Sequence, residues 1–265
     1  MDLQLTGKRA IVTGGSRGIG KAVARALADE GCAVVIASRG QAALEETALE
    51  LEAATGRTIT PIVVDTGEDA SVRALVSGAR AAMGGVDILV NSAAKPLGQA
   101  APPKLADVTG ALFWEDMNVK VLGYLRCAQA VAPGMIEQGW GRIVNVSGLG
   151  ARSTGSVIGS MRNVAVAAMT KNLADELGPH GINVTVVHPG LTRTEATPGV
   201  IARMAAAQGI SVEDATRNLE RNTIRRLVDA GEVADVVAFL ASPRSSSITG
   251  DAVACGGGSP GAIYY

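Results

Sequence analysis

Residues Thr13-Gly14-Gly15-Ser16-Arg17-Gly18-Ile19-Gly20 lie between a short apolar run and an amphipathic segment. Glycines at 14, 18 and 20 allow a tight turn and let backbone N–H groups approach a negative charge. The helix that opens there adds free N–H donors and a positive dipole end. The chemistry this suits is pyrophosphate binding, and the strand–turn–helix context marks a dinucleotide site. Neighbouring charges refine the choice. The second apolar run ends Ala37-Ser38-Arg39, with no acid to bond a ribose 2′-hydroxyl. Arg17 and Arg39 can instead flank a 2′-phosphate through charge-assisted hydrogen bonds, the plainer alternative being two solvated surface arginines. The expected cofactor is NADP(H) in preference to NAD(H).

The elements that must position this turn follow from hydrophobic periodicity. Strand-like apolar runs fall at 9–13, 33–38, 58–64, 87–91, 142–146, 183–187 and 251–255. Helical patterns fill the gaps at about 18–30, 41–54, 69–83, 113–138, 157–177 and 230–241. Continuous apolar strands alternating with helices imply a parallel sheet covered on both faces. The expected fold is one α/β domain over residues 1–265, a Rossmann-type doubly wound parallel sheet of about seven strands. The polar stretch 192–226 interrupts the rhythm after the sixth strand. It predicts one or two short helices in the place where α/β enzymes build substrate lids.

The whole chain limits the alternatives. It has 265 residues, 47% of them hydrophobic, enough to fill a core. The 24 basic and 25 acidic residues balance, so no global field draws nucleic acid or an acidic membrane. Aromatic residues make up only 3%, which leaves few base-stacking platforms. Cys32, Cys127 and Cys255 are far apart with no metal-binding spacing, so neither a disulfide framework nor a metal site is expected. A cytoplasmic location is expected, with no secretory leader and no membrane span. The partners expected are a small-molecule substrate and further copies of the chain.

The TGxxxGxG spacing resembles that of the short-chain dehydrogenase/reductase family, and further resemblance runs nearly end to end. Asp65 resembles the family's adenine-contacting aspartate, and Asn91-Ser92-Ala93-Ala94 its turn after the fourth strand. Asn118 matches the asparagine of its catalytic tetrad. Gly141–Ser147 resembles the fifth strand and the start of the serine loop. Pro189-Gly190 with Thr192 and Thr194 resembles the segment that holds the nicotinamide carboxamide. The resemblance implies an oxidoreductase, assembled as a homodimer or homotetramer through the long helices at 113–138 and 157–177.

In that family a tyrosine moves the proton, and a lysine four residues later, on the same helix face, lowers the tyrosine pKa. Aligning Val166–Lys171 with the family's helix puts Gly159 at the tyrosine and Asn163 at the lysine. The serine falls on Ser147 or equally on Gly148. Removing a positioned general acid costs roughly 10²–10⁴ in rate. Lys95, Arg162, His188, Tyr264 and Tyr265 are the candidate substitutes, each with a bland reading beside it: loop lysine, surface or interface arginine, packed histidine, free chain end. Three functions follow: an NADP(H)-dependent oxidoreductase with a non-standard proton donor, a cofactor-binding subunit without turnover, or non-redox chemistry in the same cleft.

Overall fold

The computed structural model describes residues 1–94, 103–261 and 263. In chain order the elements are β1 (Arg9–Thr13), α1 (Gly18–Asp29), β2 (Ala33–Ser38), α2 (Gln41–Thr55), β3 (Ile59–Val63), α3 (Asp69–Met83), β4 (Ile88–Asn91), α4 (Gly110–Met117), α5 (Gly123–Gln138), β5 (Gly141–Val146), α6 (Val157–Leu177), β6 (Ile182–Pro189), β7 (Thr192–Arg193), α7 (Thr197–Gln208), α8 (Val212–Leu219), β8 (Val228–Asp229), α9 (Ala230–Leu240) and β9 (Ala252–Cys255). Seven strands form one parallel sheet in the order β3-β2-β1-β4-β5-β6-β9. The order reverses between β1 and β4, which opens a crevice beyond the C-terminal ends of the strands.

Side chains alternate across the sheet. Ala10, Val12, Ile36, Val90 and Val144 pack under α1, α2 and α9. Ile11, Val35, Leu89, Ile143 and Val184 pack under α3, α5 and α6. Both faces of the inner strands β1, β2, β4, β5 and β6 are largely buried, which is why they read as unbroken apolar runs. The lid-like stretch forms the two helices α7 and α8, with a small core of Ile201, Ala205 and Ala215. Its base is closed by the two-residue parallel pair β7–β8.

One expected element differs. The helix expected over 113–138 starts at Gly110 and is broken by a π-turn at Asn118–Leu122. The Gly123 N–H bonds the Asn118 carbonyl, five residues back. A Cβ on Gly123 would meet the Thr66 side chain at 2.9 Å. The helix therefore lies hard against the β3–α3 loop there, and the extra residue in the turn absorbs the approach.

Candidate functional site

The glycine turn is built around close backbone contacts. Gly14 has φ of 70°, its N–H bonds the Ala37 carbonyl at 2.7 Å, and a Cβ on it would sit 2.8 Å from the Ser92 carbonyl oxygen. A Cβ on Gly20 would meet the Gly14 carbonyl oxygen at 2.2 Å. These contacts press α1 onto the turn and aim its N-terminus at the crevice. No side chain caps α1. The Gly18 N–H instead donates to the Glu195 Oε1 at 2.8 Å, and the Thr194 methyl lies 3.6 Å from where a Gly18 Cβ would be. A carboxylate thus sits where the helix end attracts an anion, so the cradle suits a phosphate.

The other expected cofactor residues line the same edge. Arg17 and Arg39 are exposed, and Arg39 follows the last residue of β2. Ser16 offers its carbonyl to the Thr47 hydroxyl, which fixes the turn against α2. Ile19 is half-buried against the α1 side of the core. Asp65 accepts from the Gly67 N–H at 2.9 Å and stays half-buried. Pro189 and Gly190 end β6, Gly190 packs on Gly256, and the Thr192 hydroxyl bonds the Gly190 carbonyl. Thr194 is held by its N–H to the Thr197 hydroxyl. Asn91 departs from the expectation of direct cofactor contact. It is fully buried, and its amide donates to Asn145 at 3.0 Å and to the Tyr124 carbonyl. Asn145 continues to Thr170 on α6, so Asn91 braces the sheet beneath the crevice.

Because Glu195 holds the donor a phosphate would use, Glu195→Gln is expected to tighten NADPH binding. Anion interactions at a helix N-terminus are worth about 0.3–2 kcal/mol, so the gain is about two- to thirtyfold. Isothermal titration of both proteins checks it, and equal or weaker binding by the variant would refute it.

The expected reaction site is arranged differently from its sequence reading. Asn118 starts the π-turn and faces the β3–α3 loop. Its Nδ2 donates to the Gly67 carbonyl, and its Oδ1 accepts from Arg126 at 2.9 Å. The Ser147 hydroxyl donates to the Asn163 main-chain carbonyl at 3.1 Å, packing β5 onto α6. Gly159 lies one turn into α6, its N–H capped by Ser156 at 3.0 Å. Asn163 is buried two turns in.

One buried charge, Lys120, escaped the sequence reading. Lys120 is 4% exposed, and its Nζ donates to the Ser147 carbonyl at 2.9 Å and to Asn163 Oδ1 at 3.3 Å. Burial, reinforced by the Arg162 charge and opposed by Asp116, pushes its ammonium down to about 7. Arg162, expected at a surface or on an anion, is buried in a two-oxygen bond with Asp116 at 2.7 and 2.9 Å. Val119-Lys120-Val121-Leu122 reads as apolar with one lysine. Positions 120, 124, 127, 128 and 131 share one helix face, and all are buried, which is the signal that places Lys120 inside.

The remaining candidates sort simply. His188 is buried, its Nδ1 accepts from the Gly148 N–H, and burial with the Arg152 and Lys120 charges lowers it to about 4. It is neutral at pH 7. The Tyr124 hydroxyl donates to the Val146 carbonyl in the core. Lys95, Tyr264 and Tyr265 lie outside the described residues. Among the described residues no cluster of three metal-ligating side chains occurs, and no helix is long and apolar enough to cross a membrane.

Comparison with known proteins adds the family. Residues 14–259 match a family model described as enoyl-(acyl carrier protein) reductase. The chain is 36% identical to dehydrogenase/reductase SDR family member 4 of Oryctolagus cuniculus over 97% of its length and 95% of that protein. It is 33% identical to the short-chain reductase protein NovJ of Streptomyces niveus, covering 95% and 93%. Among solved structures, L-sorbose reductase of Gluconobacter frateurii in complex with NADPH and L-sorbose superposes with a TM-score of 0.92 at 27% identity, covering 99% and 100%. An actinorhodin polyketide ketoreductase with NADPH gives 0.87 at 32% identity, covering 94% and 96%. With these matches, the seven-stranded doubly wound sheet and the glycine turn, the chain belongs to the short-chain dehydrogenase/reductase family of oxidoreductases.

Proposed function

We propose that this protein is an NADP(H)-dependent oxidoreductase that acts on a small, readily reduced carbonyl compound without the family's phenol–ammonium pair. The observation that carries the reading is the contrast within one crevice. The phosphate cradle is complete, with the Gly18 N–H already bonded to a carboxylate, while Gly159 and Asn163 provide neither acid nor ammonium. The backbone of Gly14–Gly20 would hold the pyrophosphate, Arg17 and Arg39 the 2′-phosphate, and Asp65 the adenine edge. The Pro189–Thr194 segment would position the nicotinamide end, which supplies hydride when bound.

The chain's own contribution is then binding, orientation and exclusion of water. Those terms survive the loss of a general acid. The α7–α8 lid is stitched to the strand end through Asn222 to Gly256 and Thr223 to Gly258, so it can cover the crevice as a unit. We further propose a homo-oligomer. Val157, Met161 and Val164 form an exposed apolar stripe on α6, with Leu112 and Trp114 exposed on α4. Covering such a stripe favours self-association. The three free cysteines fit a reducing compartment such as the cytoplasm.

The deciding experiment is titration with NADPH and NADH, followed by NADPH oxidation against a carbonyl panel. NADPH is expected to bind at least tenfold more tightly, since each charge-assisted hydrogen bond contributes about 1.5–3 kcal/mol. Arg39→Ala is expected to remove most of that preference. Equal affinities in the parent protein would overturn the cofactor assignment. Binding without oxidation of NADPH by any compound would favour a cofactor-holding subunit.

A further inference from the structure

We infer that Asn163 presents its side-chain amide N–H to the oxygen of the substrate carbonyl, and that Lys120 is the positioning residue that locks it in that orientation. The inference rests on the oxidoreductase reading above and deepens it by naming the group that meets the reacting oxygen.

An ammonium has donors only, so the side of Asn163 that faces Lys120 Nζ must be its oxygen. The amide nitrogen is thereby turned the other way, over the Gly148–Gly150 turn. Asn163 Nδ2 lies 3.2 Å from where a Gly148 Cβ would be and 2.9 Å from that of Gly150. Side chains at either position would strike it, and their absence leaves the donor its space. The helix backbone is fixed too, because the Ser147 hydroxyl holds the Asn163 carbonyl. Among the described residues no acceptor meets Nδ2, although Asn163 is only 6% exposed. The Gly148–Gly150 turn it lies against follows the C-terminal end of β5, and the Gly148 N–H bonds His188 of the neighbouring β6.

The surrounding charge favours an oxygen that becomes negative. Lys120 is faced by Arg162 and Asn163 of α6, Asp116 of α4 and His188 of β6, and Arg152 in turn acts on His188. Asp116 is the one carboxylate among them, and it is engaged by Arg162. His188 is lowered first by burial and then by the Arg152 and Lys120 charges, so it adds no negative charge to the site. A fixed donor in a desolvated cationic site stabilises developing negative charge without reorganising.

The step balances with water as proton source. Hydride from reduced nicotinamide forms the new C–H bond as the carbonyl π pair moves onto oxygen. Asn163 donates a hydrogen bond to that oxygen and keeps its proton. Water then protonates the oxygen, leaving the alcohol, hydroxide and oxidised nicotinamide. Such a site suits carbonyls already activated by an electron-withdrawing neighbour.

The test uses the full chain, NADPH and 9,10-phenanthrenequinone. Asn163→Asp keeps the shape and the Lys120 contact and removes the donor, and Asn163→Leu removes both. Each is expected to lower kcat by about 10²–10³, the usual cost of one oxyanion donor, while NADPH affinity stays within about threefold. Parent kcat is expected to fall as pH rises through about 7, where Lys120 loses its charge, and Lys120→Met is expected to flatten that profile. Lysine Nζ signals in ¹⁵N-lysine-labelled protein give a readout without turnover. Lys120 is expected to titrate near 7 in the parent, higher in Asn163→Asp and lower in Asn163→Leu. Parent-like kcat in Asn163→Asp, or a Lys120 titration indifferent to residue 163, would overturn the inference. If the parent binds NADPH and reduces no carbonyl, the oxidoreductase reading and the donor role fail together, and the titration alone judges the clamp.

Discussion

The triple change Gly159→Tyr, Asn163→Lys, Lys120→Met is expected to raise NADPH-dependent reduction of a plain ketone such as cyclohexanone by about 10² or more. The parent lacks an acid at the reacting oxygen, a deficit of roughly 10²–10⁴. A phenol and an ammonium four residues apart share one face of α6, and the ammonium favours the phenolate. Lys120 must change as well. Its Nζ lies 3.3 Å from Asn163 Oδ1, so a second ammonium there would face it directly. Two unit charges at about 4 Å repel by about 4 kcal/mol at an effective dielectric of 20. The double change on the Lys120 background is therefore expected to gain less than the triple. Gly159→Tyr carries a cost, because its Cβ would press on the Ser156 hydroxyl at 2.9 Å, and that hydroxyl caps α6. Losing the cap costs about 1 kcal/mol, which the fold can absorb. Initial rates of NADPH oxidation, variant against parent, decide the matter. A folded, NADPH-binding triple variant with no gain would show that residues 159 and 163 do not face the reacting centre.

Gly20→Ala is expected to weaken NADPH binding by more than a hundredfold and to lower the melting temperature by about 2–12 °C. The added methyl would lie 2.2 Å from the Gly14 carbonyl oxygen, which is fixed backbone with no rotamer to yield. Forcing a methylene into so tight a contact costs about 1–3 kcal/mol, and each kcal/mol shifts the melting temperature by about 2–4 °C at this chain length. The binding loss is larger because the only relief is to lift α1 from the turn, which moves the donors away from the pyrophosphate. Gly18→Ala is a useful contrast. Its Cβ would meet only the Thr194 methyl at 3.6 Å, although φ of 56° adds about 1–2 kcal/mol of strain. It is expected to destabilise less than Gly20→Ala. Calorimetry and NADPH titration of both variants check the order, and parent-like NADPH affinity in Gly20→Ala would contradict the turn geometry.

The sequence determined the fold almost completely. β1, β2, α3 and α6 fall on the expected boundaries, and the other main-sheet strands within two residues of them. The reason is that both faces of the inner strands are largely buried, so each of these announces itself as an apolar run bounded by polar turns. The glycine turn was equally legible, since glycine spacing encodes backbone approach without any partner being known. The two-helix insert α7–α8 was legible as a break in the rhythm.

What the sequence left open concerns side chains that meet across elements. It placed Asn91 and Asn118 by motif, but only the packed structure shows Asn91 bracing Asn145 and Asn118 turned toward Gly67 and Arg126. It left the serine on 147 or 148. The structure directs the Ser147 hydroxyl into the α6 backbone and leaves Gly148 facing the Asn163 amide. Glu195 on Gly18 spans 177 positions of chain, and Lys120 on Asn163 spans 43. A charge is drawn to such a position by the field and desolvation of residues remote in sequence, quantities set by the fold as a whole. Periodicity reports which face is buried; which polar groups then find one another inside it is decided only when the elements pack.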